Sequence, residues 1–415
     1  MILKPQKTGE YAMKNLIIGQ SGGPTAVINA SLCGAVAQWK RQNQDGCVYG
    51  MINGIEGLLA GQYMELSALS DEELSLLKLT PAAYLGSCRY KLPADPASEV
   101  YTELFKKLEA LNIGWFLYVG GNDSMDTVDK LSRHAAAAGS EIRFIGIPKT
   151  IDNDLVMTDH TPGYGSAAKY VAATVREIVL DASVYQQKSV TIVEIMGRHA
   201  GWLTAASAMA RKEEGDNPLL IYLPEAPFRL EAFYKDLEAA MEKTPNVVVC
   251  VSEGIADADG KFICEYTDAA RTDSFGHKML TGCGKVLENL VRDHFGVKVR
   301  SVELNVSQRC SGMLASGTDI EEAFLAGAYG VSAALSGETG KMAAFVRADG
   351  ADYSLSCRTF DVSAICNQEK KFPAQWITPA GNDITPDFLS YALPLIQGEP
   401  ERIMENGLPK YLYRK

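Results

Sequence analysis

Phe144-Ile145-Gly146-Ile147-Pro148-Lys149-Thr150-Ile151-Asp152-Asn153-Asp154 runs from four residues with no polar side chain straight into a turn holding a cation, a hydroxyl and two carboxylates. The apolar part reads as a buried parallel strand, and a polar cluster at the carboxyl end of such a strand is where open α/β sheets hold their ligands. A lysine beside two aspartates suits phosphate chemistry. The ammonium neutralises oxyanions, one carboxylate can accept a proton from an alcohol, and the other can hold a metal. A lone Asp-Asn-Asp is more often a turn with solvated charges, so the rest of the chain has to decide.

Upstream, Leu16-Ile17-Ile18-Gly19 is a short buried-strand signal, followed by Gln20-Ser21-Gly22-Gly23-Pro24 and a helical stretch over residues 25–41. Such a turn lets backbone N–H groups approach an anion without Cβ interference. It matches neither GxGxxG nor a Walker motif, and by itself is as readily a plain β–α turn. The pattern returns at Trp115-Phe116-Leu117-Tyr118-Val119, then Gly120-Gly121-Asn122-Asp123-Ser124 and a helix expected over 125–137, which Ser124 can cap. Asp123 stands out there, because a fixed negative charge repels a polyphosphate unless a metal or lysine neutralises it. Between these turns, Arg89 ends the loop Leu85-Gly86-Ser87-Cys88-Arg89; alone it reads as surface.

Downstream, the strand Val190-Thr191-Ile192-Val193-Glu194-Ile195 runs into Met196-Gly197-Arg198-His199, where the glycine lets a guanidinium approach a ligand. His199 reads as a packed residue. The strand over 246–251 ends at Ser252-Glu253-Gly254, whose carboxylate could accept sugar hydroxyls. Arg300 lies in the strand over 299–304, and Arg309 in its continuation Asn305-Val306-Ser307-Gln308-Arg309-Cys310. Gly284-Lys285 is no Walker motif, since Val286 stands where Ser or Thr is needed and Met279 where the first glycine is. Residues 319–335 read as an Ala-rich helix; beyond Gly337 the sequence is mixed and least informative, with a strand over residues 342–346 and polar, Pro-containing segments after Phe372.

Alternating strands and helices predict an α/β chain with mainly parallel sheets flanked by helices, in two domains. At 415 residues the length fits. A hydrophobic content of 47% with 22% charged residues is ordinary globular composition. No apolar run is long enough to span a bilayer and residues 1–7 lack a signal-peptide core, so a cytoplasmic protein is expected. Residues 1–12 read as a tag or loose extension. Nine cysteines without a CxxC pair read as reduced packing residues. A formal net charge of −11 disfavours nucleic acid or an anionic membrane as partner, so any phosphate site must build its own positive field. Cations, aspartates and Gly-rich turns gathered at strand carboxyl ends point to phosphoryl transfer.

Taken in order, Ser21-Gly22-Gly23, Gly86-Ser87-Cys88-Arg89, Gly120 to Ser124, Pro148 to Asp154, Met196-Gly197-Arg198, Ser252-Glu253-Gly254, Arg300 and Gln308-Arg309 resemble the phosphofructokinase family, in its pyrophosphate-dependent branch. The resemblance covers residues 16–335. It implies two Rossmann-like domains: a large one over 13–162 plus 309–415 on the phosphoryl-donor side, and a small one over 163–308 on the sugar-phosphate side. It implies reversible transfer of a phosphoryl group from pyrophosphate to the 1-hydroxyl of fructose 6-phosphate, a step of glycolysis and gluconeogenesis. Asp152 would be the base, with Lys149, Thr150 and Arg198 around the transferring group. Asp123 and Asp154 would hold Mg²⁺. Gly22, Gly23, Arg89, Asp123, Ser124, Met196, Gly197 and Glu253 would contact substrates, and Arg300, Arg309 and Lys188 the 6-phosphate. Some of these cations would come from a neighbouring subunit of a homodimer or homotetramer.

ATP-using members carry glycine where this chain has Asp123 and Lys149, so the resemblance favours pyrophosphate, with ATP the alternative donor. Two positions depart from the family pattern. Asn122 replaces an aspartate often assigned to Mg²⁺, though an amide oxygen can still coordinate weakly. Lys188-Ser189 replaces an arginine, and lysine is no bidentate substitute. A non-catalytic phosphate or nucleotide sensor on the same fold is the reading from another class. A lipid or NAD kinase sharing the Gly-rich turn lacks its other motifs here.

Overall fold

The computed structural model describes residues 14–42, 45–266, 282–350 and 352–414. Residues 1–12, expected as an extension, and Met279 lie outside them. The chain begins β1 (Asn15–Gln20), α1 (Ile28–Arg41), β2 (Val48–Met51), α2 (Gly54–Leu59), β3 (Tyr63–Glu65), α3 (Asp71–Lys78), α4 (Glu99–Ala110), β4 (Ile113–Gly120), α5 (Asn122–Ala138) and β5 (Arg143–Pro148). It continues α6 (Tyr164–Ala182), β6 (Ser189–Ile195), α7 (Trp202–Ala206), β7 (Leu220–Tyr222), α8 (Leu230–Lys243), β8 (Asn246–Ser252), α9 (Cys283–Phe295) and β9 (Lys298–Glu303). It ends α10 (Ser307–Cys310), α11 (Gly317–Leu335), β10 (Lys341–Arg347), β11 (Leu355–Asp361), α12 (Pro386–Ala392), β12 (Met404–Glu405) and β13 (Leu408–Pro409).

Apart from the antiparallel hairpin of β12 and β13, the described strands form two sheets with mainly parallel pairing, flanked by helices, as the alternation of elements predicts. The larger has the order β11-β10-β5-β4-β1-β2-β3, parallel except for β3 against β2 and β11 against β10. The smaller, β7-β8-β6-β9, is parallel throughout. Period-2 alternation explains why the central strands bury both faces. In β4, Phe116 and Tyr118 join one apolar cluster with α4 and α5, while Leu117 and Val119 join another with α1 and α11. In β8, Val248 and Cys250 face α6, and Val247 and Val249 face α8 and α9.

Strand order reverses between β1 and β4, which are neighbours although β2 and β3 intervene in sequence. At such a switch point the loops leaving the strands diverge and open a crevice at their carboxyl ends. The Gly-rich turns after β1 and β4 and the turn after β5 all rise there. The carboxyl ends of β6 and β8 in the other sheet bring residues 196–198 and Glu253 to the same cleft.

The segment beyond 337 was least informative as sequence. It supplies β10 and β11 to the larger sheet, and then Phe372, Phe388 and Leu395 bury against Trp202 and α6. No helix among the described residues is long and apolar enough to cross a membrane.

Helices α1 and α11 meet backbone to backbone. A Cβ on Gly34 would lie 1.9 Å from the Phe324 carbonyl oxygen, and one on Gly327 would lie 1.9 Å from that of Ser31. Both helices cover one face of the larger sheet, so their spacing is set by the layer that packs on it. Gly327→Val is expected to force the helices apart and cost about 3 kcal/mol as an overpacking substitution. A lower urea midpoint at unchanged slope is the check.

Candidate active site

The cleft has two connected lobes, of about 430 Å³ and about 270 Å³. Gly23, Arg89, Lys149, Thr150, Asp152 and Asp154 line both and form the waist. The larger lobe is completed by Met196, Gly197, Arg198, Glu253 and Arg309, and the smaller by Gly22, Asp123 and Ser124. A narrow waist carrying a base and a cation between two polar chambers suits transfer of a charged group from one occupant to another.

Backbone geometry builds the waist. Lys149 N–H donates to the Gly120 carbonyl at 3.0 Å, so the turn after β5 is pinned to the end of β4. Gly22 has φ +72, open to glycine without strain, and its N–H donates to the Cys88 carbonyl at 3.1 Å. Ser87 Oγ donates to the Gly22 carbonyl at 2.6 Å, which ties the loop bearing Arg89 to the first glycine turn. Asn153 takes the left-handed conformation at φ 55, which asparagine tolerates, and the two flanking aspartates thereby turn towards the cleft.

Lys149 is only 2% exposed and its Nζ donates to the Gly23 carbonyl at 2.6 Å. Burial pulls its pKa down to about 8, against the opposing pull of Asp152 and Asp154. Asp152 is held by Thr150, whose hydroxyl donates to Oδ2 at 3.1 Å and accepts from the Asp152 N–H at 3.1 Å. Burial raises the Asp152 pKa, with the Thr150 bond and the Lys149 charge acting the other way. Burial first, and the neighbouring Asp152 charge second, push Asp154 up to about 7. The waist is thus a desolvated site for one lysine and two carboxylates.

Arg198 is presented by a turn with little freedom. Gly197 has φ +145, and a Cβ there would meet the Ala200 carbonyl oxygen at 2.7 Å. Ser252 Oγ donates to the Gly197 carbonyl, and a Cβ on Gly254 would lie 2.0 Å from the Arg198 carbonyl oxygen. Glu253 Oε1 accepts from Gly197 N–H at 3.4 Å. Arg309 crosses to the first glycine turn, its guanidinium 3.4 Å from where a Gly23 Cβ would sit.

Several expectations need revising. Ser124 does not cap α5. Gly121 is the cap, and the Ser124 hydroxyl is buried 2.5 Å from that of Ser21. Asn122 has no amide group spare for a metal, because Nδ2 donates to the Gln368 carbonyl at 2.6 Å and Oδ1 accepts from Asn367 N–H at 2.5 Å. His199 is exposed and lines the larger lobe rather than packing inside. Arg300 and Lys188 do not join the cleft of their own chain. Arg300 lines two separate cavities with Thr191 and pairs with Asp181 at 3.8 Å. Lys188 is exposed just before β6, at the opposite end of that strand from Met196.

Other contributors went unnoticed in the sequence. Lys91 pairs with Asp123 at 3.5 Å and so supplies the neutralising lysine that Asp123 requires. Glu369 lines the larger lobe from the uninformative carboxyl-terminal segment. At Gly284-Lys285 the amino end of α9 is filled by a protein carboxylate, because Glu194 accepts from Gly282 N–H at 3.0 Å and Gly284 N–H at 2.8 Å. Nothing in the local sequence signals these contacts, which join positions far apart in the chain.

A hard divalent cation fits the waist. Asp154 is a desolvated carboxylate whose proton affinity the neighbouring Asp152 charge raises further, a conflict that a dication on Asp154 relieves. Among the described residues no set of three or more His, Cys, Asp or Glu side chains could hold a metal ion unaided. One or two carboxylates completed by substrate phosphate oxygens and water is the usual arrangement for Mg²⁺.

Behind the Asp154 turn lies a buried ionic network. His160 Nδ1 donates to Asp159 Oδ2 and Nε2 to Glu322 Oε2, both at 2.8 Å. Arg347 also pairs with Asp159 at 2.9 Å, and Tyr353 donates to Glu322. Burial alone would depress the His160 pKa, but the two carboxylates outweigh it and the pKa is raised.

A family model described as phosphofructokinase matches residues 15–319. The chain is 39% identical over 403 residues to a pyrophosphate–fructose 6-phosphate 1-phosphotransferase of Halomonas elongata, covering 96% of each chain. A protein of the same description from Xanthomonas campestris is 41% identical over 405 residues, covering 97% of this chain and 96% of its own. Among solved structures, the pyrophosphate-dependent phosphofructokinase of Nitrosospira multiformis superposes with a TM-score of 0.88 at 35% identity, covering 97% of this chain and 96% of that one.

The His160 network has a testable sign. A histidine whose folded pKa lies above its unfolded value of about 6.5 stabilises fully below that pH, and the contribution fades as pH rises through the folded pKa. His160→Gln leaves buried carboxylates short of a cation and is expected to cost about 3–5 kcal/mol at pH 6. The deficit should shrink at alkaline pH in urea unfolding of both proteins.

Proposed function

The chain belongs to the phosphofructokinase family, and from that premise we propose that it moves a phosphoryl group from pyrophosphate to the 1-hydroxyl of fructose 6-phosphate. The products are fructose 1,6-bisphosphate and orthophosphate. The observation that carries the donor assignment is the content of the smaller lobe: the Asp123–Lys91 ion pair at its mouth and buried Lys149 at its base. A carboxylate at 123 opposes the α-phosphate of a nucleotide, whereas a compact pyrophosphate can sit against Lys149. The anhydride of pyrophosphate is of modest energy, so the reaction runs in both directions.

Asp152 accepts the proton of the sugar hydroxyl as its oxygen bonds to phosphorus and the bond from phosphorus to the bridging oxygen breaks. A raised pKa makes it a better base than a solvated aspartate, and Thr150 fixes which of its oxygens faces the cleft. Lys149 and Arg198 stabilise charge on the transferring group and on the leaving phosphate, acting in a site sheltered from water. Family enzymes generally use a divalent metal. Here Asp154, with Asp123 at the edge of the same lobe, would hold Mg²⁺, which when bound supplies charge neutralisation of the phosphate oxygens.

Met196, Gly197 and Glu253 line the larger lobe around the sugar, with Arg309 at its phosphate. Arg300 and Lys188 would serve a neighbouring copy. Both lie outside their own cleft: Arg300 pairs with Asp181 and shares a cavity with exposed Tyr185, and Lys188 is exposed just before β6. That placement supports a homodimer or homotetramer with sites shared between subunits, and the cytoplasm is the compartment we propose for it. The domain division follows from the same reading. Residues 13–162 with 309–415 form the donor side, and residues 163–308 the sugar-phosphate side.

A coupled assay with fructose 6-phosphate and each donor tests the assignment; efficient turnover with ATP and none with pyrophosphate would overturn it. Asp152→Asn is expected to lower kcat by about 10³-fold or more while fructose 6-phosphate binding persists. In Asp123→Gly combined with Lys149→Gly, pyrophosphate use should fall and some ATP use appear, read as the ratio of kcat/KM for the two donors.

A further inference from the structure

Residues 367–371 cross the cleft as a short strap whose contacts reach three separate parts of the site. At its start Asn122, the first residue of α5, clasps the backbone of Asn367 and Gln368 with both amide atoms. At its end Lys371 Nζ donates to the His199 carbonyl at 2.8 Å, beside the Arg198 turn. Glu369 lines the larger lobe between them.

Lys370, in the middle, points away from the cleft. Its N–H donates to the Asp154 carbonyl at 2.7 Å. Its Nζ donates to Asn153 Oδ1 at 3.3 Å, to the Thr158 carbonyl at 3.2 Å and to the Asp159 carbonyl at 2.8 Å. An ammonium has three protons, and all three have an acceptor on the loop that carries Asp152 and Asp154. The side chain is seated against Trp202, its Nζ 5.0 Å from the ring centroid, and the Trp202 indole N–H donates to the Lys370 carbonyl at 3.1 Å. Asn153 Oδ1 also accepts from Thr161 N–H at 3.1 Å.

We propose that Lys370 is a positioning residue for phosphoryl transfer: through one ammonium and one backbone N–H it joins Asn153, Asp154, Thr158 and Asp159 into a single unit and so fixes the aim of the Asp152 and Asp154 carboxylates. The strap keeps it there by spanning from α5 to the turn beyond β6. Lys370 lines neither lobe; Asn122 borders the smaller one, but both atoms of its amide are turned to the strap. The loop bearing the base has two left-handed residues, Asn153 and Met157, and no helix or strand, so its geometry depends on cross-links from outside. A misaligned base loses rate at the chemical step while the binding cations remain in place.

The inference rests on the proposed reaction, and the test separates the two. Failure of the parent protein to turn over fructose 6-phosphate with pyrophosphate refutes the reaction itself. Given an active parent, Lys370→Met, which keeps the stem and removes the donors, is expected to lower kcat about 30-fold or more with KM for both substrates within about threefold. A folded Lys370→Met protein with parental kcat, or with KM raised and kcat kept, overturns the proposal. Should that protein fail to unfold cooperatively in urea, Asn122→Ala decides, since it loosens the strap from its partly exposed end. There a kcat fall of about threefold or more at unchanged KM supports the proposal, and a parental kcat overturns it.

Discussion

An ammonium withheld from water organises this molecule's working end. Lys149 reaches from the turn after β5 to the Gly23 carbonyl after β1, across the point where strand order reverses. A lysine so enclosed loses much of its hydration and is tolerable only where carbonyls and carboxylates replace it. Asp152 and Asp154 meet that need in part, but they are themselves desolvated and repel each other. The three charges are mutually dependent: none is comfortable without the others, and together they still leave a field suited to an anion with a dication.

Around that triad, a chain of net charge −11 has to gather an anionic substrate. Cations are therefore concentrated rather than spread. Arg89, Lys149, Arg198 and Arg309 all line the larger lobe, delivered by turns from both sheets. The sheets arrive at the cleft with their carboxyl ends, so the amino terminus of α5 adds to the same positive field. Where an amino terminus could have misdirected an anion, at α9, Glu194 fills it from within.

Much of this was legible in the residues. The buried strands of both sheets announce themselves because parallel strands covered on two faces read as continuous apolar runs. The turns that follow show as glycines and charges at fixed places, and Lys149, Asp152 and Arg198 come to the cleft because each sits one to four residues past a strand end. What stayed hidden depends on partners far along the chain. Asn122 looked like a weakened metal ligand, but its amide is engaged by backbone 245 residues away. His199 looked like a packing residue, yet it is exposed at the cleft. Ser124 looked like a helix cap, but a hydroxyl from the β1 turn holds it in the interior. Arg300 and Lys188 carry the right chemistry for a phosphate, and only the three-dimensional course of β6 and β9 shows that they face elsewhere. Glu369 and Lys370 sit in a charged run with no periodicity, which on any local reading is solvated surface.

The order in which the chain emerges during synthesis gives the split sheet a further meaning. All four strands of the smaller sheet are made before β10 and β11 exist, so that sheet can condense while the larger one still has an open edge at β5. The aspartate turn is likewise complete long before residue 370. A nascent chain can therefore carry every motif of the site in order and still leave the Asp152 turn untethered, and the enzyme matures from its last eighty or so residues backwards onto its first.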